Sequence, residues 1–220
     1  MKVAYQNVGR GATNAHVLLE WGAREKVDII FVGEAWRDRE GRGNIQQRGG
    51  YVMGGGFGKD QLVVGYWKEE LKEKIRVTLE SKRAIGIEIG ERFIGAVYGA
   101  TGGNREGMEN WLHSLEGVAR GQSGILLGDW NAHCEKWDME SREDGKGKAL
   151  KEWMGGNGFE VVQPDGATWC RFWEDEISTS TIDLVWMKEI EWQPKTSEGL
   201  MSDHRVIWGD IVIKREAAKE

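Results

Sequence analysis

Residues 28–33 read Asp-Ile-Ile-Phe-Val-Gly, an apolar run with no polar alternation. A strand of that pattern is buried on both faces, so the chain must place a packed layer on each side of it. Residues 124–127 repeat the pattern and end at Gly128-Asp129. Further strand patterns fall at 3–8, 51–53, 61–67, 75–79, 84–89, 92–98, 159–162, 168–172, 181–186 and 205–213. Helical periodicity marks 13–26, with Val17, Leu18 and Trp21 on one face, then 105–119 and 146–154. Thr13 or Asn14 caps the first helix, the loop 101–104 caps the second, and Gly155-Gly156 stops the third. The tally of about ten strands and three helices, with strands in succession mid-chain, predicts an α/β sandwich of two mostly antiparallel sheets flanked by helices. There are only 2 Pro and no Pro- or Ser-rich linker, which predicts one domain over 1–213. The charged stretch 214–220 reads as a tail or the start of a linker.

Composition narrows the class. An apolar share of 40% with 10% aromatics is a globular balance over 220 residues. Two cysteines, Cys134 and Cys170, make no disulfide scaffold. No apolar run approaches the roughly 20 residues of a membrane span, and the N-terminus lacks a signal-peptide pattern, so the expected setting is intracellular with no membrane partner. The net charge of −6 argues against holding nucleic acid by a broad positive field.

Several apolar runs deliver one polar residue each at the point where strand meets loop. Residues 3–6 deliver Asn7, 29–33 deliver Glu34, 94–97 deliver Tyr98, and 125–128 deliver Asp129 with Asn131 and His133 beyond. Singly, each is an ordinary turn residue bonding its own backbone. Asp183 is different, because it sits between Ile182 and Leu184 in an apolar strand. An unpaired carboxylate there is expensive, and a histidine is its natural partner. Together the set suits phosphodiester hydrolysis. Glu34 can hold a hard cation with Asn7 nearby, and Asp129 can orient or deprotonate water. Asn131 and Tyr98 can donate to a charged phosphate, and His204, oriented by Asp183, can stabilise charge or move a proton.

The order Asn7, Glu34, Tyr98, Gly128-Asp129-Trp130-Asn131, Ser180-Thr181-Ile182-Asp183 and Ser202-Asp203-His204 resembles the endonuclease/exonuclease/phosphatase superfamily along essentially the whole chain. Within it, Asn131-Ala132-His133 followed by Trp137 resembles the endonuclease domains of non-LTR retrotransposons. Inositol phosphatases and apurinic endonucleases carry other residues after the Asp and around the metal-binding Glu. Tyr98 is followed by Gly99-Ala100-Thr101 and His133 by Cys134, both departures from relatives.

The resemblance implies a four-layer α/β sandwich and a Mg²⁺- or Mn²⁺-dependent endonuclease. Such an enzyme nicks double-stranded DNA to leave a 3′-hydroxyl, working with a reverse transcriptase on the same polyprotein in the nucleus. It assigns Asp129, Asn131, His204, Asp183 and Tyr98 to catalysis and Glu34, Asn7 and Asp203 to the metal. It also assigns Thr101, Ser180, Arg37 and Arg42 to the substrate. Loops 37–48 and 101–105 and the segment 171–179 are the expected DNA-reading elements. The alternatives are a phosphatase or phosphodiesterase of the same fold on a small substrate, or a non-catalytic DNA- or protein-binding relative. Of the 12 Trp, Trp36, Trp130 and Trp137 are expected at the rim of the site, and Trp21, Trp111, Trp153, Trp186 and Trp208 in the core.

Overall fold

A computed structural model describes residues 1–36, 45–58, 60–119, 123–173, 176–197 and 200–212. Arg37, Arg42 and the tail 214–220 lie outside the described residues. In chain order the first elements are β1 (Lys2–Asn7), α1 (Ala12–Glu25), β2 (Ile29–Gly33), β3 (Gln47–Arg48), β4 (Tyr51–Gly55) and β5 (Val63–Lys68). A 3₁₀ segment, Glu69–Lys74, leads to β6 (Ile75–Ser81), β7 (Ala84–Ile89) and β8 (Arg92–Tyr98). Then come α2 (Arg105–His113), the one-turn α3 (Glu116–Ala119), β9 (Gly124–Asp129), α4 (Gly145–Gly156) and β10 (Glu160–Val162). The last strands are β11 (Trp169–Trp173), β12 (Glu176–Ser180), β13 (Asp183–Lys188), β14 (Glu191–Trp192), β15 (Lys195–Ser197) and β16 (Val206–Val212).

Two large sheets form, ordered β14-β16-β1-β2-β5-β4-β3 with β15 beside β16, and β10-β13-β9-β8-β7-β6. Strands β11 and β12 make a separate hairpin. Between the sheets lie Val3, Tyr5, Ile29 and Phe31 from the first and Ile85, Ile94, Ile125 and Val185 from the second. Leu18, Leu19 and Trp21 of α1 pack on the outer face of the first sheet with Ala4, Ile30 and Val32. Met108 and Leu112 of α2 and Leu150 and Met154 of α4 cover the second with Leu126, Leu184 and Trp186. The expected four layers are therefore present, and the runs 29–33 and 124–129 are buried throughout.

Each sheet contains one parallel pair, β1–β2 and β8–β9, joined through a helical crossover, while the other pairings are antiparallel. Parallel strands end on the same edge. Asn7 thus stands opposite Gly33, the residue before Glu34, and Tyr98 stands opposite Asp129. Antiparallel β13 sets Asp183 opposite Asp129 from the other side.

Some expectations need correction. The described residues hold sixteen strand segments and four α-helices, because short edge strands such as β3, β14 and β15 carry too little alternation to read. The helix expected at 105–119 breaks after His113, where Ser114 Oγ donates to the Trp111 carbonyl at 2.5 Å and competes with the helical ladder. The first helix is entered at Gly11 with no side-chain cap, and Asn14 Nδ2 donates instead to the Val8 carbonyl at 3.0 Å. Asn104 does cap α2, accepting from Gly107 N at 3.0 Å. The segment 171–179 forms most of the β11–β12 hairpin. Trp130 and Trp137 are core residues beneath α2 and α4 and not rim residues, because the residue after Asp129 turns to the helix-covered face.

Gly128 adopts φ +147°, and a Cβ there would fall 2.1 Å from the Val97 carbonyl oxygen. The central parallel pair closes only because that methyl is missing. Gly128→Ala is expected to lower stability by more than about 1 kcal/mol, read as a fall in the urea midpoint. An unchanged midpoint would remove this account of the glycine.

Candidate active site

The polar residues delivered by β1, β2, β8, β9, β13 and the start of β16 meet at one end of the seam between the sheets. Asn7 is the hub. Its Nδ2 donates to Glu34 Oε1 at 3.1 Å and to Asp129 Oδ2 at 3.0 Å, while its Oδ1 accepts from Gly9 N at 2.9 Å. One amide thus uses both N–H groups to tie together two carboxylates from different sheets. Asp129 Oδ1 also accepts from Asn131 N at 3.0 Å, and Asn131 Nδ2 donates to the Gly99 carbonyl at 3.0 Å. Glu34 and Asn131 both occupy the left-handed region, at φ +46° and +48°. A non-glycine residue held there costs about 1–2 kcal/mol, so the surrounding contacts hold both turns in place.

His204 completes the group. Its Nδ1 lies 2.8 Å from Asp183 Oδ2, the partnership expected of an aspartate buried in an apolar strand. Its Nε2 faces Asp129 Oδ2 at 3.8 Å. The backbone around it is pinned, with Gln6 Nε2 donating to the His204 carbonyl at 2.8 Å and His204 N donating to Ser202 Oγ at 3.2 Å. Ser202 Oγ in turn donates to the Asn7 carbonyl at 2.6 Å. Thr168 Oγ1 accepts from Asp183 N and Ile182 N at 3.0 and 3.2 Å and so fixes the start of β13.

Burial and charge set the ionisation. Burial pushes Asp129 up to about 7, and the Asp183 charge adds to this against the opposing pull of His204, Asn7 and Asn131. Burial alone would lower His204, but the adjacent Asp183 carboxylate, helped by Asp129 and Asp203, raises it to about 9. Burial and the hydrogen bond to Glu34 raise the Tyr98 phenol well above its ordinary value.

Residues 93–208, more than half of the chain, match the sequence profile described as endonuclease–reverse transcriptase. The chain belongs to this endonuclease–reverse transcriptase family. No curated protein sequence matches it significantly. Among solved structures it is similar to the endonuclease domain of TRAS1, a telomere-specific non-LTR retrotransposon. That likeness has 18% identity, a TM-score of 0.75, and coverage of 97% of this chain and 99% of that one. An AP endonuclease from Archaeoglobus fulgidus matches at 15% identity and TM-score 0.71, covering 97% of this chain and 100% of that one. An endonuclease/exonuclease/phosphatase family protein from Leptotrichia buccalis C-1013-b matches at 15% and 0.60, with coverage of 97% and 100%. These likenesses are of fold, the DNase I-like sandwich of two sheets between helices.

In this family member the geometry brings Asn7, Glu34, Tyr98, Asp129, Asn131, Asp183 and His204 together. The other expected residues among those described lie outside that linked group. Asp203 is exposed, with Oδ2 accepting from Trp169 Nε1 at 3.1 Å. The Ser180 hydroxyl donates to Asp138 Oδ2 at 3.0 Å and lies 3.3 Å from His133 Nδ1. Thr101 is exposed on the loop before α2, beside Tyr98 in a cleft. Sequence reading missed Asp138, which gathers Ser141 Oγ, Ser180 Oγ and Thr181 N on one oxygen and so joins the loop after β9 to the base of the β11–β12 hairpin. It also missed Arg10, whose Nε approaches Glu34 Oε2 at 3.6 Å. The only available signal for Arg10 was its position three residues after Asn7.

The donor set suits a divalent cation. Asp129 and Asp183 offer carboxylate oxygens within 4.8 Å of each other and of a His204 ring nitrogen, and Glu34 is joined to Asp129 through Asn7. Three carboxylates here face one imidazolium and one partly exposed guanidinium, and Asp183 Oδ1 has no hydrogen-bond partner among the described residues. That surplus of negative charge is what a hard cation relieves.

The raised Asp129 makes a stability prediction. Its folded value of about 7 lies above its ordinary 3.8, so its ionisation opposes folding from about pH 4 upward and does so fully above pH 7. His204 acts the other way, contributing stability below about 6.5 that is lost as pH rises through about 9. Asp129→Asn in chelator at pH 8 is expected to melt roughly 2–4 °C higher than the wild type, the shift about 1 kcal/mol gives a chain of this size. A lower melting temperature would contradict the buried-charge account.

Proposed function

We propose that this chain is a Mg²⁺-dependent endonuclease that hydrolyses one phosphodiester bond in double-stranded DNA and leaves a 3′-hydroxyl. The observation that carries this reading is the single linked network of Glu34, Asn7, Asp129, His204 and Asp183 at the seam. Glu34 would hold the ion, with Asn7 beside it. When bound, the ion supplies positive charge to the phosphate and its developing oxyanion.

Asp129 takes the proton of the attacking water, for which its raised basicity and Asn7-fixed orientation suit it. His204, held protonated by Asp183, faces the negative phosphate and lowers the cost of the transition state. The second N–H of Asn131, beyond the one on Gly99, and the Tyr98 hydroxyl donate to non-bridging oxygens. Water oxygen bonds to phosphorus, the bond to the 3′-oxygen breaks, and that oxygen takes a proton from solvent water to become the 3′-hydroxyl. Asp203 adds negative charge near His204 and steadies Trp169.

The β11–β12 hairpin presents Arg171 with exposed Phe172 and Ile177 and serves as a groove-reading element, held at its base by Asp138. The free 3′-hydroxyl suits a reverse transcriptase on the same polyprotein as the partner and the nucleus as the setting. No helix among the described residues is long and apolar enough to cross a membrane.

Supercoiled plasmid incubated with Mg²⁺ is expected to become open circles that a DNA polymerase can extend, and chelator should abolish this. Asp129→Ala and His204→Ala should each lose about 10²–10⁴ in rate. Intact plasmid at every Mg²⁺ level would end the nuclease reading. With Asp129 acting ionised and His204 protonated, the rate should rise with pH toward about 7 and fall above about 9, the limbs belonging to the pair. A flat profile across both limbs, measured under single-turnover conditions, would remove these two roles.

A further inference from the structure

A cleft of about 450 Å³ opens from the site on the side of Tyr98 and Thr101. Three cations from two separate segments line it, namely Arg10 after β1 and Lys82 and Arg83 in the turn between β6 and β7. Among the described residues, Asp60 is the one carboxylate on the same wall. In a chain of net charge −6 this is a local excess of positive charge.

The turn is clamped to the site by its backbone. Tyr98 N donates to the Arg83 carbonyl at 2.8 Å, and Leu62 N donates to the Lys82 carbonyl at 2.8 Å. Arg10 is fixed in the same way, its N donating to the Glu34 carbonyl at 2.9 Å while its side chain stays 69% exposed beside Glu34. Among the described residues, neither Lys82 nor Arg83 makes a side-chain hydrogen bond or ion pair. A rigid turn therefore carries two cations with unused donors, next to the strand end that presents Tyr98.

We propose that this cleft is a subsite for the backbone phosphates that flank the scissile bond, with Arg83 as the inner contact and Lys82 as the outer one. Arginine matches a phosphate with a planar fork and lysine with a mobile point charge, so the two suit successive phosphates along a strand. Such contacts hold the duplex in register without reading its sequence. The placement rests on the nuclease reading above, which sets the scissile phosphate beside Tyr98. It also explains how an acidic protein engages DNA, through a short basic track beginning at the active site.

The test is binding of a fluorescein-labelled DNA duplex, followed by anisotropy over a salt series, for the wild type, Lys82→Ala/Arg83→Ala and a control, Lys72→Ala/Lys74→Ala. The control removes the same charge from the exposed 3₁₀ segment. The cleft variant is expected to bind about tenfold more weakly at near-physiological salt. The slope of log affinity against log salt should fall by roughly 0.9 for each phosphate no longer neutralised, so by nearly two. The control should keep the wild-type slope. Equal effects in both variants would mean that only net charge matters, and an unchanged slope in the cleft variant would mean that no phosphate binds there. Either result overturns the subsite. Plasmid nicking by the same wild-type preparation is scored separately. A wild type that binds with the expected cleft dependence and nicks nothing would leave the subsite standing and sink the nuclease.

Discussion

The positive charge on His204 lets two carboxylates stay buried at the seam of the sandwich. Asp129 and Asp183 face each other across paired strands, where repulsion and lost hydration both work against ionisation. His204 bonds one through Nδ1 and turns Nε2 toward the other. The imidazole keeps this position because the last two residues of β1 hold it there. Gln6 bonds its carbonyl, and the Asn7 carbonyl accepts from Ser202, which takes the His204 amide. The same Asn7 side chain holds Glu34 and Asp129. One short central strand therefore orders all the charged groups of the site, and a shift of β1 by one residue would disperse them.

Strand direction explains why the groups converge at all. The two parallel pairs run to the same edge, so residues 122 positions apart, Asn7 and Asp129, end in hydrogen-bond contact. Gly33 at the end of β2 leaves space for Tyr5 of neighbouring β1, whose hydroxyl would lie 2.1 Å from a Cβ there. That hydroxyl is fully buried and has no hydrogen-bond partner among the described residues. Burial raises its pKa, with the Asp129 and Asp183 charges adding, so it stays protonated. Its aromatic body is buried near Asp129 and Asp183, and that burial is what keeps Asp129 basic, while His204 stays charged through the carboxylates around it.

Much of this was legible in the residues. Continuous apolar runs read as doubly buried strands, and the polar residue ending each run read as a site residue, because both follow from local pattern. Asp183 was legible for a stronger reason: a carboxylate between Ile182 and Leu184 demands a partner, and His204 is that partner. The residues that were missed act through tertiary placement. Asp138 follows a tryptophan in a polar loop and matters only because the β11–β12 hairpin returns to it. Trp130 sits beside the motif in sequence yet faces the helices, since neighbours along a strand direction point opposite ways, and Trp137 joins the same core from the turn that follows. Lys82 and Arg83 carry no local signal, and their place next to Tyr98 comes only from the pairing of β7 with β8.

Total charge is consequently a poor guide to the partner of this chain. The carboxylates Glu34, Asp129 and Asp183 contribute to the formal −6, yet they are gathered at one seam where a histidine and an arginine oppose them. Other acidic side chains are engaged in exposed pairs, such as Glu20 with Arg48 and Glu109 and Glu152 with Arg105. Pairs of that kind leave little field at the distance of an approaching polyanion at physiological salt. What such a polyanion meets within a Debye length of Tyr98 is the unpaired turn Lys82-Arg83 and the exposed Arg10. Local arrangement thus sets the attraction, and it places that attraction at the end of the seam where Tyr98 and Glu34 stand.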